Sequence, residues 1–355
     1  MNIYYYFAYN MKYTLILTIT LFIPIWPSFS QGMMDGDSDF PILKGPYLGQ
    51  KPPGIIPEIF APGIVSTEMH EHSIPSFSPD GNQLLWYSQF LDDGGFPGKV
   101  IESSIVEGKW TEPEFFDAIT FKSSSAAFFS PDGNRIYFTS KGNDEDKSIG
   151  GYDIWHIEKS ENSWGLPKNL GSPINGLNHD FGGTLSKDLT LYFSSEIDPE
   201  TNLYGIYRSE LIDGKYQTPE LLPANINTKH VDWTPFIAPD ESYLLFSSNR
   251  PNGNGGESGD IYVSYKNPDN TWTDPVNLGP TINWPDSQER YPYVSPDGKF
   301  LFYASNKFDK EITSDNVQSL KFYREKMTKP GNSWNDIYWV SSQIIEDLKP
   351  QELKR

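Results

Sequence analysis

The chain has 355 residues, 15% of them aromatic, with 29 glycines, 29 prolines and a formal net charge of −19. Such a length holds one large domain or two small ones, and aromatics mixed with Gly and Pro favour many short strands joined by tight turns. The charge argues against nucleic-acid binding, which needs clustered Lys and Arg on phosphates, and leaves cations, carbohydrates and basic proteins as partners.

Residues 1–30 read as a secretory signal peptide. Lys12 is their only charge, the apolar run "YTLILTITLFIPIW" follows it, and "PSFSQG" places small Ser28 and Ser30 where a signal peptidase cuts. The run is short for a membrane span. Met11 is the better start, and cleavage is expected after Ser30. There is no cysteine, hence no disulfide, no thiolate metal site and no acylated Cys to anchor a lipoprotein. No later apolar stretch approaches membrane length. The expectation is a soluble exported chain, periplasmic or extracellular, with no membrane span after signal cleavage. Residues 31–53 read as an extended N-terminal segment.

The first recurring motif is "PEIF" at Pro57. It returns as "PEFF" (Pro113), "PKNL" (Pro167), "PELL" (Pro219) and "PVNL" (Pro275), at spacings of 56, 54, 52 and 56. Out of phase with it runs a hairpin: "PSFSPDGNQLLWYS", "AFFSPDGNRIYFTS", "GTLSKDLTLYFSS", "PFIAPDESYLLFSS" and "PYVSPDGKFLFYAS". In Ser-Pro-Asp-Gly, Pro presets φ at the second turn position and Gly relaxes the last. A third strand follows each hairpin, as in "YDIWHIE", "YGIYRSE", "DIYVSY" and "DIYWVSS", with "KVIESSIV" as a degenerate first copy. Four strands per unit, in units somewhat longer than the usual 40–50 or so residues, fit a propeller blade. The last unit lacks an outer strand, and the first outer motif precedes any inner strand. The fold class is therefore all-β: a β-propeller of five four-stranded blades over 54–348, closed by the N-terminal strand completing the last blade. Residues 349–355 read as a C-terminal tail.

These residues resemble the WD40-like, TolB-type β-propeller repeats, whose hallmark is "PxFSPDGxxLxFxS". The phrase "NLGPTIN…QERYPYVSPDGKFLFYAS" looks like the version common in exported bacterial proteins, often beside a peptidoglycan-binding domain. This chain departs in showing no companion domain and in its weak third turn, "SKDL". The resemblance implies the fold across roughly 54–348 and leaves function open, because the fold hosts scaffolds, binders and enzymes.

Three residues before the opening Pro, Ala or Gly of each hairpin stand His72, Ser124, Asp180, Asp232 and Glu289. Inner strands line a propeller's channel, so these five are expected as a ring at its mouth, where crowded carboxylates raise a pKa or recruit a cation. His70, His72, His179 and His230 lie in the connections leading into inner strands; His156 does not. Those four are the candidate ligands of a divalent metal ion, the one cofactor the sequence points to. Trp284 and Tyr291 are placed to stack on a sugar ring, and Arg290 adjoins the ring position. Phe181 and Trp233 are expected to point the other way, into packing between blades. A structural reading competes: an acid at this position can hydrogen-bond the neighbouring blade, and Asn175, Asn227 and Asn283 look like struts of that kind. The long connection 306–335 adds Lys321, Arg324, Lys326 and Lys329, a basic patch on the same face.

The expectation is a binding module. Its channel-mouth face, with His72, Ser124, Asp180, Asp232, Glu289, Arg290, Trp284 and Tyr291, would take a glycan or a cell-envelope protein. The alternative is a carbohydrate-active enzyme. Asp180, Asp232 and Glu289 would then be the catalytic carboxyls of a glycoside hydrolase. A metal-assisted polysaccharide lyase, similar in fold to TolB-like oligogalacturonate lyases, would instead lean on the four histidines. A scaffold without pocket chemistry is the third class.

Overall fold

In the Ser-Pro-Asp-Gly turns, Ser78 Oγ donates to Asp80 Oδ1 at 2.6 Å and Asp80 Oδ1 accepts from the Asn82 amide at 3.1 Å, while Gly81 sits at φ 71°. Ser130–Asp132 and Ser295–Asp297 repeat the contact at 2.5 and 2.7 Å. In the third and fourth copies Leu189 and Glu241 take the left-handed position instead of glycine, at φ 63° and 57°. Each turn closes an antiparallel pair. The second strand of each pair is buried on both faces, which accounts for its near-continuous apolar run.

The computed structural model describes residues 40–354, apart from 90–97, 122, 144, 146, 162, 252, 254–258 and 309–318; the signal-peptide reading of 1–30 lies outside these. Five antiparallel sheets ring one axis as the blades of a propeller. Their inner strands are Ser76–Phe77, Ser124–Phe129, Asp180–Leu185, Asp232–Ile237 and Glu289–Val294. The second strands are Gln83–Gln89, Arg135–Ser140, Leu191–Asp198, Tyr243–Ser248 and Phe300–Ser305. The third strands are Gly98–Val106, Asp153–Ser160, Leu203–Ser209, Asp260–Tyr265 and Asp336–Ser341.

Outer strands from the Pro motifs complete four blades, and Glu58–Ile59 completes the fifth, pairing Glu58 with Trp339 and Ile59 with Tyr338. The expected closure is present, and it explains why the chain begins its motifs on an outer strand: the ring leaves no open sheet edge at the seam. Upstream, Tyr47 lies edge-on to Phe77 and Phe300, at 5.3 and 5.0 Å, and donates to Asp297 Oδ1 at 2.7 Å. It bridges the first and fifth blades on the Ser-Pro-Asp-Gly face.

Hydroxyls staple each blade to the next. Ser73 Oγ accepts from the Ala126 amide (2.9 Å), Thr139 Oγ1 from Gly182 (2.7 Å), Ser194 Oγ from Thr234 (2.9 Å) and Thr234 Oγ1 from Tyr291 (3.4 Å). The Tyr293 hydroxyl, accepting from the Phe77 amide at 3.1 Å, closes the circle. Below these staples the inner-strand side chains Phe77, Phe128, Leu185, Phe236 and Tyr293 belong to one continuous buried cluster with Phe302 and Trp339. Among the described residues two α-helices lie outside the blades. Leu320–Met327, capped by Ser319, carries Lys321, Arg324 and Lys326, and Gln343–Leu348 follows the last blade strand. No described helix is long and apolar enough to cross a membrane.

Candidate functional site

The acids expected at the channel mouth are buried inside the blade tops instead. Asp180 Oδ2 accepts from the Gly176 amide at 2.8 Å and its Oδ1 from Ser195 Oγ at 2.6 Å. Asp232 takes the Thr228 amide at 2.7 Å and pairs with Arg250 Nη2 at 2.7 Å. Glu289 Oε1 accepts from Ser287 and Ser305 hydroxyls, at 2.6 and 2.8 Å. Each acid thus ties its own loop to the end of the second strand. Burial pushes the pKa of Asp180 up to about 6 and that of Glu289 up to about 8. Ser124 is likewise buried, and its hydroxyl has no partner among the described residues.

In the first blade the acid position belongs to Glu71, not His72. Glu71 accepts from Thr67 Oγ1 at 2.9 Å and Ser88 Oγ at 3.2 Å. Its amide donates to the carbonyl just before the fifth blade's third strand (Asn335), as those of Asp180 and Glu289 do to Tyr152 and Gly259. Burial raises its pKa to about 8, against the pull of the Thr67 hydrogen bonds.

The reason for the reversal is a β-bulge. In the fourth blade Trp233 pairs with Ser247 and Phe236 with Leu245, so one extra residue sits on the inner strand, with Thr234 at φ 48°. The second, third and fifth blades carry the same shift, and Ala126 and Tyr291 are also left-handed, at φ 49° and 55°. An extra residue changes which side chains face inward. The residue after each acid position therefore meets the channel: His72, Ser125, Phe181, Trp233 and Arg290, one per blade. Phe181 and Trp233 are corrected from blade packing to channel lining, and Asp180, Asp232, Glu289 and Ser124 from lining to blade interior.

These side chains line a cavity of about 290 Å³ together with Tyr87, Gln89, Tyr152, Tyr204, Thr234 and Tyr291, among others. Aromatic rings follow one another around its wall: Tyr152 to Phe181 at 5.5 Å, Phe181 to Tyr204 at 5.6 Å, Tyr204 to Trp233 at 6.3 Å. Arg290 is the lining's cation. Its guanidinium lies over Trp233 at 4.4 Å, and Nη1 is 3.3 Å from His72 Nε2. A guanidinium only donates, so Nε2 accepts and the neutral His72 carries its proton on Nδ1. Burial, with Arg290 beside it, pulls the His72 pKa to about 3. Among the described residues no carboxylate pairs with Arg290, and its Nε and the Trp233 Nε1 have no hydrogen-bond partner.

The remaining candidates are scattered. His70 and His72 stack at 4.9 Å, but His70 Nδ1 accepts from the Asn335 amide at 3.0 Å. His179 Nδ1 accepts from the Tyr152 amide at 3.0 Å, on a different blade junction. The His230 amide donates to Thr228 Oγ1 at 3.1 Å in the fourth blade's loop. Among the described residues no three His, Asp or Glu side chains come together as a metal needs. Trp284 lies away from the cavity lining, packed on Tyr338 at 4.9 Å with Lys307 Nζ 3.7 Å over its ring. Tyr291 and Arg290 do line the cavity as expected. Among the described residues the arrangement offers aromatic faces and an uncompensated guanidinium, with no carboxyl group in the lining for acid–base work.

No protein-family model and no curated protein matches the chain. Among solved structures it is similar to a candidate TolB of Agrobacterium tumefaciens, at 15% identity over 75% of this chain and 88% of that one, TM-score 0.45. It is also similar to TolB of Acinetobacter baumannii, at 14% identity and TM-score 0.42, covering 76% of this chain and 56% of that one. The catalytic domain of a Coprinopsis cinerea GH62 α-L-arabinofuranosidase aligns at 11% identity over 82% of this chain and 98% of that one, TM-score 0.46. What each of these proteins binds or cleaves is its own property.

Proposed function

We propose that this chain is an exported binding module whose channel mouth holds a carboxylate-bearing sugar of an envelope or extracellular glycan. The observation that carries the reading is Arg290: a guanidinium set against Trp233 in an aromatic wall, with no carboxylate among the described residues to meet it. Guanidinium pairs with carboxylate in a fixed, bidentate geometry. Aromatic walls with a few placed polar groups are the usual build of a small-molecule site. Glycoside hydrolysis needs two carboxyls flanking the scissile bond, and among the described residues the cavity lining has none. Export rests on residues 1–30, and sequencing the mature N-terminus would test it.

Calorimetric titration with D-glucuronate and D-glucose tests the site. Glucuronate is expected to bind with a Kd of about 0.1–1 mM, in keeping with one ring's worth of contacts. Arg290→Gln should weaken it at least about tenfold, the value of a charge-assisted hydrogen bond. Glucose binding as tightly as glucuronate, or an Arg290→Gln variant that binds normally, would count against the proposal.

A further inference from the structure

We infer that the cavity receives the end of a glycan chain and not an interior residue, an inference that rests on the sugar-binding reading above. The cavity lies on the axis of the ring of blades, so a ligand can reach it only along that axis. Beneath it Phe128, Phe236 and Tyr293 are 1%, 5% and 7% exposed and belong to the same buried cluster as Phe302 and Trp339. Phe236 meets Tyr293 edge-on at 5.7 Å, and the Tyr293 hydroxyl is held by the Phe77 backbone. Nothing can thread through that floor.

The wall is closed as well. A polymer bound through an interior residue must enter and leave the site, so its two linkages need a groove open at both ends. Here, among the described residues, the Ser73, Thr139, Ser194 and Thr234 hydroxyls accept from the Ala126, Gly182, Thr234 and Tyr291 amides across four blade junctions, and Arg290 Nη1 lies 3.3 Å from His72 Nε2 across the fifth. A cavity of about 290 Å³ lies at the bottom of the range of roughly 300–1,000 Å³ usual for ligand pockets. One ring fills it. A terminal residue can descend with its single linkage pointing back out of the mouth; an interior residue would have to bring two linkages through the same opening.

The test uses β-1,4-linked glucuronate oligomers of two to six residues, titrated into the full chain. Two further hexamers carry a neutral glucose cap, one at the non-reducing end and one at the reducing end. The Kd per molecule is expected to stay within about twofold from dimer to hexamer, and one cap, but not the other, to weaken binding about tenfold or more. Affinity that climbs with the number of interior residues, with both caps harmless, would overturn the end-on inference alone, since Arg290→Gln would still weaken binding about tenfold or more. Failure of every uronate to bind would overturn the sugar-binding reading and this inference with it.

Discussion

Arg290 brings a positive charge into an aromatic wall with no carboxylate beside it among the described residues. Removing a charge from water costs several kcal/mol unless a partner repays it, so this residue works against the fold that holds it. Arg290→Met is therefore expected to raise the melting temperature by about 2–5 °C while glucuronate binding disappears. Differential scanning calorimetry of the two proteins decides the matter. A lower melting temperature would mean that the guanidinium serves the fold, through His72 or the Trp233 ring. His72 keeps Arg290 in place at working pH because its pKa, pulled to about 3 by burial and by Arg290 itself, leaves Nε2 free to accept.

The outer Pro motifs end in a latch that repeats across three blades. Asn175 Oδ1 accepts from the Ile154 amide (2.9 Å) while Nδ2 donates to the Ile154 carbonyl (2.9 Å). Asn227 does the same with Ile206, at 2.7 and 2.9 Å, and Asn283 with Ile261, at 2.8 and 3.0 Å. In the fifth blade Ser66 plays both parts with Ile337. Asn227 also donates to the Leu222 carbonyl at 2.9 Å. Asn227→Ala should thus cost about 2–4 kcal/mol, for one buried amide group and its partners left unmatched. Urea denaturation would show this as a lower midpoint; an unchanged midpoint would mean that water replaces the latch. These struts, the hairpins and the ring closure are legible in the sequence because they recur: a motif that returns with each blade reports on what every blade needs. The cavity is not legible in the same way. Its lining column, His72, Ser125, Phe181, Trp233 and Arg290, has no common residue type. A bulge also moves that column one place from where a strict alternation puts it. The first blade hides it further, because two extra residues separate Glu71 from the hairpin, against one elsewhere.

Buried acids at the blade tops set the pH behaviour of the whole ring. Burial raises Glu71 and Glu289 to about 8, Asp336 to about 7 and Asp180 to about 6. A carboxyl with a raised folded pKa contributes stability that is complete below its unfolded value, near 4, and lost as pH climbs through the folded value. The turn aspartate Asp297 works in the opposite sense. Hydrogen bonds from Tyr47 and Ser295 outweigh its burial and hold it at about 2, so its contribution is present above the unfolded value and lost as pH falls through about 2. Thermal stability should peak at mildly acid pH, and the melting temperature should drop by about 4–8 °C between pH 5 and pH 9. A Glu71→Gln, Glu289→Gln double variant should flatten that fall, and a fall of unchanged size would show that these two acids ionise freely in the fold.

The seam between Glu58–Ile59 and Asp336–Ser341 also sets an order of events. The first outer strand to be synthesised has no sheet to join until the last blade's third strand exists. Four blades can assemble while the chain is still emerging, but the circle waits for its final stretch. Until that moment the fifth blade is an exposed strand edge and the hairpin that carries Arg290 lacks its third and outer strands. Trimming either terminus past its seam strand therefore opens the same joint that protects the finished protein.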